Sequence, residues 1–158
     1  TPAELVDIVP YAAEQYPQLF KQKEVSVLTV APERTFWEKA TILHHEANRP
    51  EHLSMPQRYS RHYYDLYCMA KSPVKEKAFE RLDLLQKVVD FKMKFYPRAW
   101  ARYPEAVPAT LKLLPPSYRL GALQEDYSAM RNMLYGEIPS FETMMEAVGE
   151  LEKEIHAL

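Results

Sequence analysis

The sequence predicts a mainly α fold, in which a helical, bundle-like domain follows one or two short β-strands. Apolar residues recur three or four positions apart along much of the chain after residue 31, as they do in amphipathic helices. The β-branched segment at residues 25–30 indicates a strand. Thirteen prolines against three glycines favour helices separated by prolines over a sheet with many tight hairpins.

The first 30 residues contain the predicted strands. Residues 5–9 are typical of a short strand, and residues 25–30 of a second one. Between them, residues 11–20 predict a short helix that is interrupted near Pro17. Because one or two strands need others to form a stable sheet, we expect residues 1–30 to be the edge of a domain that lies upstream. Residues 31–158 are then a separate helical domain.

Two helices are predicted from residue 32 onward. Pro32 suits the first helical position, and an apolar stripe predicts that this helix continues to about Ala47. A polar loop separates it from a second helix, which we expect from about Pro56 to Lys71. The inner stripe of the second helix comprises Tyr59, Tyr63, Leu66 and Ala70.

Residues 74–96 predict one or two further helices. Their apolar stripe, which includes Leu84, Val88 and Phe91, is wide enough to indicate a central helix. Five prolines in the following segment, residues 97–116, indicate an extended connection with a short strand near residues 110–114.

The last two predicted helices form an antiparallel hairpin. Ser117 suits the N-cap of the first and Ser140 the N-cap of the second. Gly136 ends the first helix, and the short turn that follows brings the two together. Leu123 lies in the apolar stripe of the first helix, and Met144 in that of the second.

The composition excludes several classes of site. The formal charge of −2 gives no overall attraction for nucleic acid, and the absence of a run of 18 apolar residues argues against a membrane span. The three glycines are too far apart for a glycine-rich phosphate loop. The single Cys68 excludes an intramolecular disulfide, and its apolar helical surroundings favour a buried thiol.

A few charged residues are candidates for chemistry, each with a structural alternative. Lys39 falls between two apolar stripes and suits either a solvated lysine or a phosphate contact. Arg61 and Asp65 are four residues apart, so their side chains can meet on a helix surface. They form either a simple surface ion pair or a functional pair, in which Arg61 holds the carboxylate of Asp65 beside a cation or a sugar hydroxyl. The adjacent His44 and His45 point about 100° apart on a helix, which does not suit a metal site.

Aromatic and basic residues elsewhere leave two alternatives open. The aromatic group of residues 36–37 and 59–67 favours a core over a base-stacking surface. A series of cations either lines a groove that faces RNA or forms a solvated surface; it comprises Lys87, Lys92, Lys94, Arg98 and Arg102.

Two segments resemble the AbiEii/AbiGii toxin family, whose members are nucleotidyltransferases. Residues 27–41, VLTVAPERTFWEKAT, are similar to the strand-then-helix segment that bears the family's essential lysine, and Lys39 takes that place. Residues 61–66, RHYYDL, resemble the family's later Arg-Asp-x-x-Asp-Leu motif. Asp65 occupies the second acidic position, and His62 stands where many relatives have the first Asp. The resemblance covers nearly the whole chain.

The resemblance implies roles for five residues. Lys39 and Asp65 are expected to be catalytic, and Arg34, Arg58 and Arg61, which lie in the same two segments, to bind substrate. The family's opening module, a Gly-Ser turn followed by an Asp-x-Asp strand, does not occur in these 158 residues. Because those two carboxylates bind the Mg²⁺ pair, we expect no metal site in this chain and no transfer activity from it alone.

The resemblance also implies the context of the whole protein. Residues 1–30 are then the tail of an α/β nucleotidyltransferase domain. With Mg²⁺ and an NTP, the whole protein is expected to transfer a nucleotide to an acceptor, which is RNA or, in some relatives, tRNA. It is expected to act in the cytoplasm, paired with an antitoxin, in toxin–antitoxin and phage-defence systems. The alternative is a non-catalytic helical module that binds RNA or a protein partner.

Overall fold

The computed structural model describes residues 2–134 and 136–158, and its first element is an antiparallel hairpin. Strands β1 (Ala3–Ile8) and β2 (Val25–Val30) pair over their full length, with Leu5 opposite Leu28 and Val6 opposite Val27. Both predicted strands are confirmed. Apolar side chains are exposed on both faces of the hairpin, as in strands of a sheet that is normally covered on both sides.

A short helix, α1 (Tyr11–Gln15), and a 3₁₀ turn (Pro17–Leu19) connect the two strands. Tyr16, between them, has φ −130° and ψ 59° and so leaves the helical region. A residue that precedes a proline is disfavoured in α-helical geometry, which explains the predicted interruption at this position.

The rest of the chain is helical, which confirms the mainly α class. The helices are α2 (Pro32–Ala47), α3 (Ser60–Ala70), α4 (Val74–Phe79), α5 (Leu82–Phe95), α6 (Leu120–Ala129) and α7 (Phe141–His156). Helix α2 packs against α3, α4 and α5, while α3 also packs against α6 and α7. The bounds of α2 agree with the prediction at both ends.

Helix α2 is the centre of the core. Phe36, Trp37, Ala40 and Leu43 are completely buried. The indole N–H of Trp37 donates a hydrogen bond of 3.0 Å to the carbonyl oxygen of Ala78, which fixes α4 against α2. The wide apolar stripe of residues 74–96 predicts a central helix, and that prediction is wrong. In α5 only the first half of the stripe is buried, whereas Phe91 and Phe95 are exposed.

His44 joins α2 to the proline-rich connection. Its Nδ1 accepts the backbone N–H of Lys112 at 3.0 Å, and its Nε2 lies 3.1 Å from the carbonyl oxygen of Arg102. Nε2 therefore carries the proton and donates, so the ring is neutral. Burial lowers the pKa of His44, which agrees with this state. The neighbouring His45 packs its ring against Trp100 at 4.5 Å.

The structure differs from the prediction at two places in the second half. Residues 110–114 form no strand; a 3₁₀ turn (Pro108–Thr110) precedes Leu111 and Leu113, which are both buried against the helices. Helix α6 ends at Ala129 rather than near Gly136, because a 3₁₀ turn (Arg131–Met133) replaces its last turn. Gln124 and Tyr127 of α6 contact Glu142 and Phe141 at the start of α7. Beyond these contacts the two helices do not pack along their length, because α7 packs against α3, so the predicted antiparallel hairpin is wrong.

The N-terminus of α7 is as predicted. The side chain of Ser140 accepts a hydrogen bond from the backbone N–H of Thr143 at 3.0 Å, the usual N-cap interaction.

Cys68 is exposed, so the prediction of a buried thiol is wrong. It lies on the side of α3 that faces away from Leu66 and Tyr67, which are buried. Within the described residues, none of the helices has the length and apolar character needed to cross a membrane.

We expect Leu123→Ala to lower the free energy of unfolding by roughly 2–5 kcal/mol, because it opens a cavity where a side chain is completely buried. Leu120→Ala is the matched control, since Leu120 begins the same helix and is 39% exposed. Urea denaturation of both variants measures the difference. Equal midpoints would show that α6 does not contribute to the core in the way described.

Candidate active site

The ammonium of Lys39 and the carboxylate of Asp65 meet between α2 and α3. Lys39 Nζ lies 2.6 Å from Asp65 Oδ2, and the two side chains are 21% and 41% exposed. The buried residues on both sides of Lys39 explain its direction. Trp37, Ala40 and Thr41 turn their side chains inward, so the helix places Lys39 at the boundary between the core and solvent.

His62 is the second partner of Lys39. Its Nδ1 lies 3.3 Å from Lys39 Nζ, and the ring packs edge-on against Tyr59 at 4.9 Å. Burial, and then the positive charges of Lys39 and Arg61, lower the pKa of His62 to about 4. The imidazole is therefore neutral at physiological pH, and its Nδ1 accepts a hydrogen bond from the ammonium. His62 is therefore a neutral hydrogen-bond acceptor beside the ammonium.

Arg58 and Arg61 lie on the outer side of Asp65. Both arginines and Asp65 line a cavity of about 340 Å³. The remaining lining residues are Tyr64, Met130, Met133 and Leu134. Among the described residues no ion pair joins Arg61 to Asp65, because Lys39 holds that carboxylate instead. Arg61 therefore neither forms the predicted surface ion pair with Asp65 nor holds that carboxylate in place, so both alternatives for this pair are wrong.

Asp126 of α6 fixes the start of α3. Its Oδ1 accepts the N–H of Arg58 at 2.6 Å, and its Oδ2 accepts the N–H and the hydroxyl of Ser60 at 2.8 and 2.6 Å. Arg58 has a φ of 59°, in the left-handed region, which a helix cannot include. The helix predicted from Pro56 therefore begins at Ser60.

Arg34 is separated from the Lys39 cluster. Its Nε donates to Glu38 Oε1 at 2.8 Å, and its guanidinium lies 5.9 Å from the ring centroid of Phe91. The side chain is only 11% exposed. The structure thus brings Lys39, Asp65 and Arg61 to one place, with Arg58 beside them, and leaves Arg34 on a neighbouring surface.

Two further residues lie near this cluster: Asp126, which the sequence analysis did not name, and Lys92, which it named only within a series of cations. Lys92 of α5 donates to the carbonyl oxygen of Glu38 at 3.2 Å, and burial lowers the pKa of its ammonium to about 7. Asp126 anchors α3, as described. The sequence contains a signal for both, because each is a charged residue at helical spacing from apolar core residues. Lys92 lies four residues after Val88, and Asp126 lies between Leu123 and Met130.

The metal expected of the family is not accommodated by the described residues. Within residues 2–134 and 136–158, no group of three or more histidine, cysteine or acidic side chains is placed to hold a metal ion. Asp65, the acidic residue of the cluster, is engaged by Lys39.

Comparison with known proteins gives one match. The family model described as "Nucleotidyl transferase AbiEii toxin, Type IV TA system" matches residues 1–147. The comparisons with curated proteins and with solved structures gave no significant match. The family match includes both segments that meet at the Lys39–Asp65 pair.

We expect Asp126→Ala to lower the free energy of unfolding by about 1–2 kcal/mol, because it removes the acceptor for the first N–H groups of α3. Amide hydrogen exchange at Ser60 should accelerate as well. Glu125→Ala is the control, since Glu125 is the exposed neighbour on the same helix. If both variants unfold at the same urea concentration, the carboxylate does not hold α3.

We expect the free energy of unfolding to fall as the pH drops below 6.5. The pKa of His62 is about 4 in the folded protein and about 6.5 when unfolded, so in this window the unfolded chain binds the extra proton. From pH 6.5 to 5 the loss from this residue is about 1–2 kcal/mol. Urea denaturation at several pH values measures it.

His62→Gln should reduce this pH dependence, whereas His52→Gln, at an exposed loop position, should leave it unchanged. Some dependence should remain in both variants because burial also lowers the pKa of His45 to about 4. Identical pH profiles for His62→Gln and the unmodified chain would contradict a buried, neutral His62.

Proposed function

The chain belongs to the AbiEii family of nucleotidyltransferase toxins from type IV toxin–antitoxin systems, and we propose that Lys39 and Asp65 are its part of the nucleotide-transfer site. The observation that carries this proposal is the 2.6 Å contact between Lys39 Nζ and Asp65 Oδ2. The two residues come from segments 26 positions apart. A pair of this kind, at the edge of a cavity, suits a site that binds a charged substrate.

Lys39 is the group that contacts the triphosphate of the NTP. An ammonium has three donors, of which Asp65 accepts one and His62 a second. The third donor is directed to a phosphate oxygen of the bound nucleotide. Because Asp65 and the neutral His62 hold the ammonium from the protein side, Lys39 enters this contact already oriented, which reduces the entropy lost on binding.

Arg61 and Arg58 bind the remaining part of the substrate. Their shared cavity of about 340 Å³ falls within the range of small-molecule pockets. Guanidinium groups form paired hydrogen bonds to phosphate oxygens, and the apolar Met130 and Met133, which also line the cavity, suit a base or ribose. Asp126 holds the start of α3 and so positions both arginines.

The carboxylates that bind Mg²⁺ are supplied from outside the described residues. When bound, the metal would neutralise charge on the triphosphate during transfer. The support for a separate segment is the hairpin of β1 and β2, whose apolar side chains are exposed on both faces. Such strands suit the edge of a larger nucleotidyltransferase sheet, to which residues 1–30 would belong.

The acceptor of the nucleotide is RNA, with tRNA as one candidate, and the protein acts in the cytoplasm under the control of an antitoxin. The antitoxin pairing follows from the type IV family. The acceptor is supported by basic side chains beside the site, since Arg58 and Arg61 form a local positive surface on a chain whose overall charge is −2.

We expect Lys39→Ala and Asp65→Ala to abolish toxicity of the whole protein, expressed in a bacterial host together with the segment that supplies the metal-binding carboxylates, because each removes a proposed substrate or positioning contact. Both should lower the free energy of unfolding by no more than about 1 kcal/mol, since the pair is partly exposed. Toxicity and thermal melting are measured on the same variants.

Lys75→Ala provides a matched control. Lys75 pairs with Glu154 at 2.7 Å, with side-chain exposures of 22% and 45%, almost the same as for Lys39 and Asp65. This variant should lose as little stability and keep full toxicity. If Lys39→Ala unfolds the protein to the extent that Leu123→Ala does, or if it leaves toxicity intact, Lys39 has a structural role only.

A further inference from the structure

A second cavity, larger than the one that Asp65 lines, lies along α6. Its volume is about 710 Å³, against about 340 Å³ for the first. The two cavities share the lining residues Arg58, Met130 and Met133, so they adjoin each other. The second cavity therefore extends the proposed substrate site away from Asp65, into a space to which the proposed function assigns no ligand.

Both walls of the second cavity are held in place. One wall is segment 54–58, and the other is formed by α6 and the turns that flank it. Before the segment, Arg119 donates to the carbonyl oxygen of Pro50 at 2.7 Å. At its end, Asp126 accepts the N–H of Arg58 at 2.6 Å. Because the segment is fastened on both sides, the cavity exists before a ligand arrives, as is usual for small-molecule sites.

The charges that line the second cavity cancel. Arg58 and Arg119 are positive, whereas Glu125 and Asp126 are negative. The first cavity differs, because two arginines line it with one aspartate, and Lys39 engages that carboxylate. A balanced lining gives no general attraction for a further phosphate. The second cavity thus suits the uncharged end of a nucleotide.

The apolar part of the lining suits a nucleobase. Met55 lies in segment 54–58, and Met130 and Met133 follow the end of α6. Methionine side chains are flexible, and their sulfur atoms make favourable contacts with aromatic rings. Since Met130 and Met133 also line the first cavity, a nucleotide whose phosphates lie beside Arg61 can reach this lining with its base.

The carboxylate of Glu125 is free to contact that base. Within residues 2–134 and 136–158 it takes part in no hydrogen bond or ion pair. Ala122 and Ala129 stand three residues before it and four residues after it, so they share its face of α6. Their small side chains leave the helix surface beside the carboxylate open. A carboxylate accepts hydrogen bonds and cannot donate them, so Glu125 favours a base with N–H groups at its edge.

The separation between Glu125 and the Lys39 site suits a nucleotide. Asp65 is five residues from Ser60 in α3, which is about 7.5 Å along the helix axis. Ser60 donates to Asp126, and Glu125 precedes Asp126 in α6. An extended ribose and triphosphate span a distance of this order, so a nucleotide bound at Lys39 can place its base in the second cavity.

We propose that the second cavity holds the base of the NTP and that Glu125 determines which base is accepted. This inference rests on the proposed function, since it assumes that an NTP binds along Lys39, Arg61 and Arg58. Glu125 accepts a hydrogen bond from the exocyclic amino group that adenine, guanine and cytosine carry. Uracil has no such group, and its ring N–H lies between two carbonyl oxygens that a carboxylate repels. UTP is therefore the disfavoured substrate.

The test is isothermal titration calorimetry of ATP, GTP, CTP and UTP, each with Mg²⁺, on the whole protein with the segment that supplies the metal-binding carboxylates. UTP should bind about tenfold more weakly than the tightest of the other three, because it lacks a hydrogen bond to a charged group. Glu125→Gln should reduce this difference to about threefold, since its amide N–H can donate to a uracil oxygen. Glu146→Gln removes the same charge at an exposed position of α7 and should leave all four affinities unchanged.

A second variant tests the cavity without changing a charge. Ala122 is exposed on α6 and lines the second cavity but not the first, so Ala122→Leu adds a side chain to the base space alone. It should raise the Kd of all four NTPs by about tenfold. The Kd of inorganic tripolyphosphate, which has no base, should stay unchanged. Circular dichroism on both variants checks that they remain folded.

The proposal is wrong if UTP binds as tightly as the other NTPs or if Glu125→Gln keeps the full discrimination against UTP. It is also wrong if Ala122→Leu leaves NTP binding intact or weakens tripolyphosphate to the same extent. A failure of the proposed function gives a different pattern, in which no NTP binds or Lys39→Ala and Arg61→Ala leave every Kd unchanged. If those two variants weaken all four NTPs while Glu125→Gln and Ala122→Leu change nothing, only the base cavity is wrong.

Discussion

The packing of α2 into the centre of the molecule is the constraint on which the rest depends. Because Phe36, Ala40 and Leu43 are completely buried, this helix has one rotation about its axis, and that rotation sets the direction of Lys39. Helix α3 then has to approach along the same surface, which brings Asp65 to within 2.6 Å of the ammonium. The contact that defines the candidate site is thus a consequence of core packing. Lys39 and Asp65 meet because of where they stand along α2 and α3.

Electrostatics in this region follow from partial burial. An ammonium and a carboxylate at the edge of the core are stable when each has a partner. The Lys39–Asp65 pair satisfies this condition while both side chains remain partly exposed, and Asp65 also lines the cavity. A second charged acidic group in place of His62 would add negative charge beside Asp65. The neutral imidazole instead accepts a hydrogen bond without altering the net charge of the cluster. Burial likewise lowers the pKa of Lys92, which donates to a backbone carbonyl, to about 7, so its charge is only partial near neutral pH.

Two apolar surfaces remain uncovered, and they have different character. The hairpin of β1 and β2 is aliphatic and apolar on both faces, which suits coverage by other strands and helices of a protein domain. The second surface, at the end of α5, is aromatic and consists of Phe91, Phe95 and Tyr96, with Lys94 beside the Phe95 ring.

The sequence by itself determined the features that depend on neighbouring residues. Pro32, Ser140 and the spacing of apolar residues predicted the bounds of α2 and the start of α7, and residue types alone predicted both strands. The resemblance to the family motifs pointed to Lys39 and Asp65. The spacing of residues along the chain could not show that their side chains are in contact. Tertiary contacts decided the rest. Asp126 sets the start of α3 from about 66 residues away, and the depth of the core decides that His62 is buried while Phe91 is exposed. Such features depend on which surfaces meet in space, and a local pattern carries no information about its distant partners.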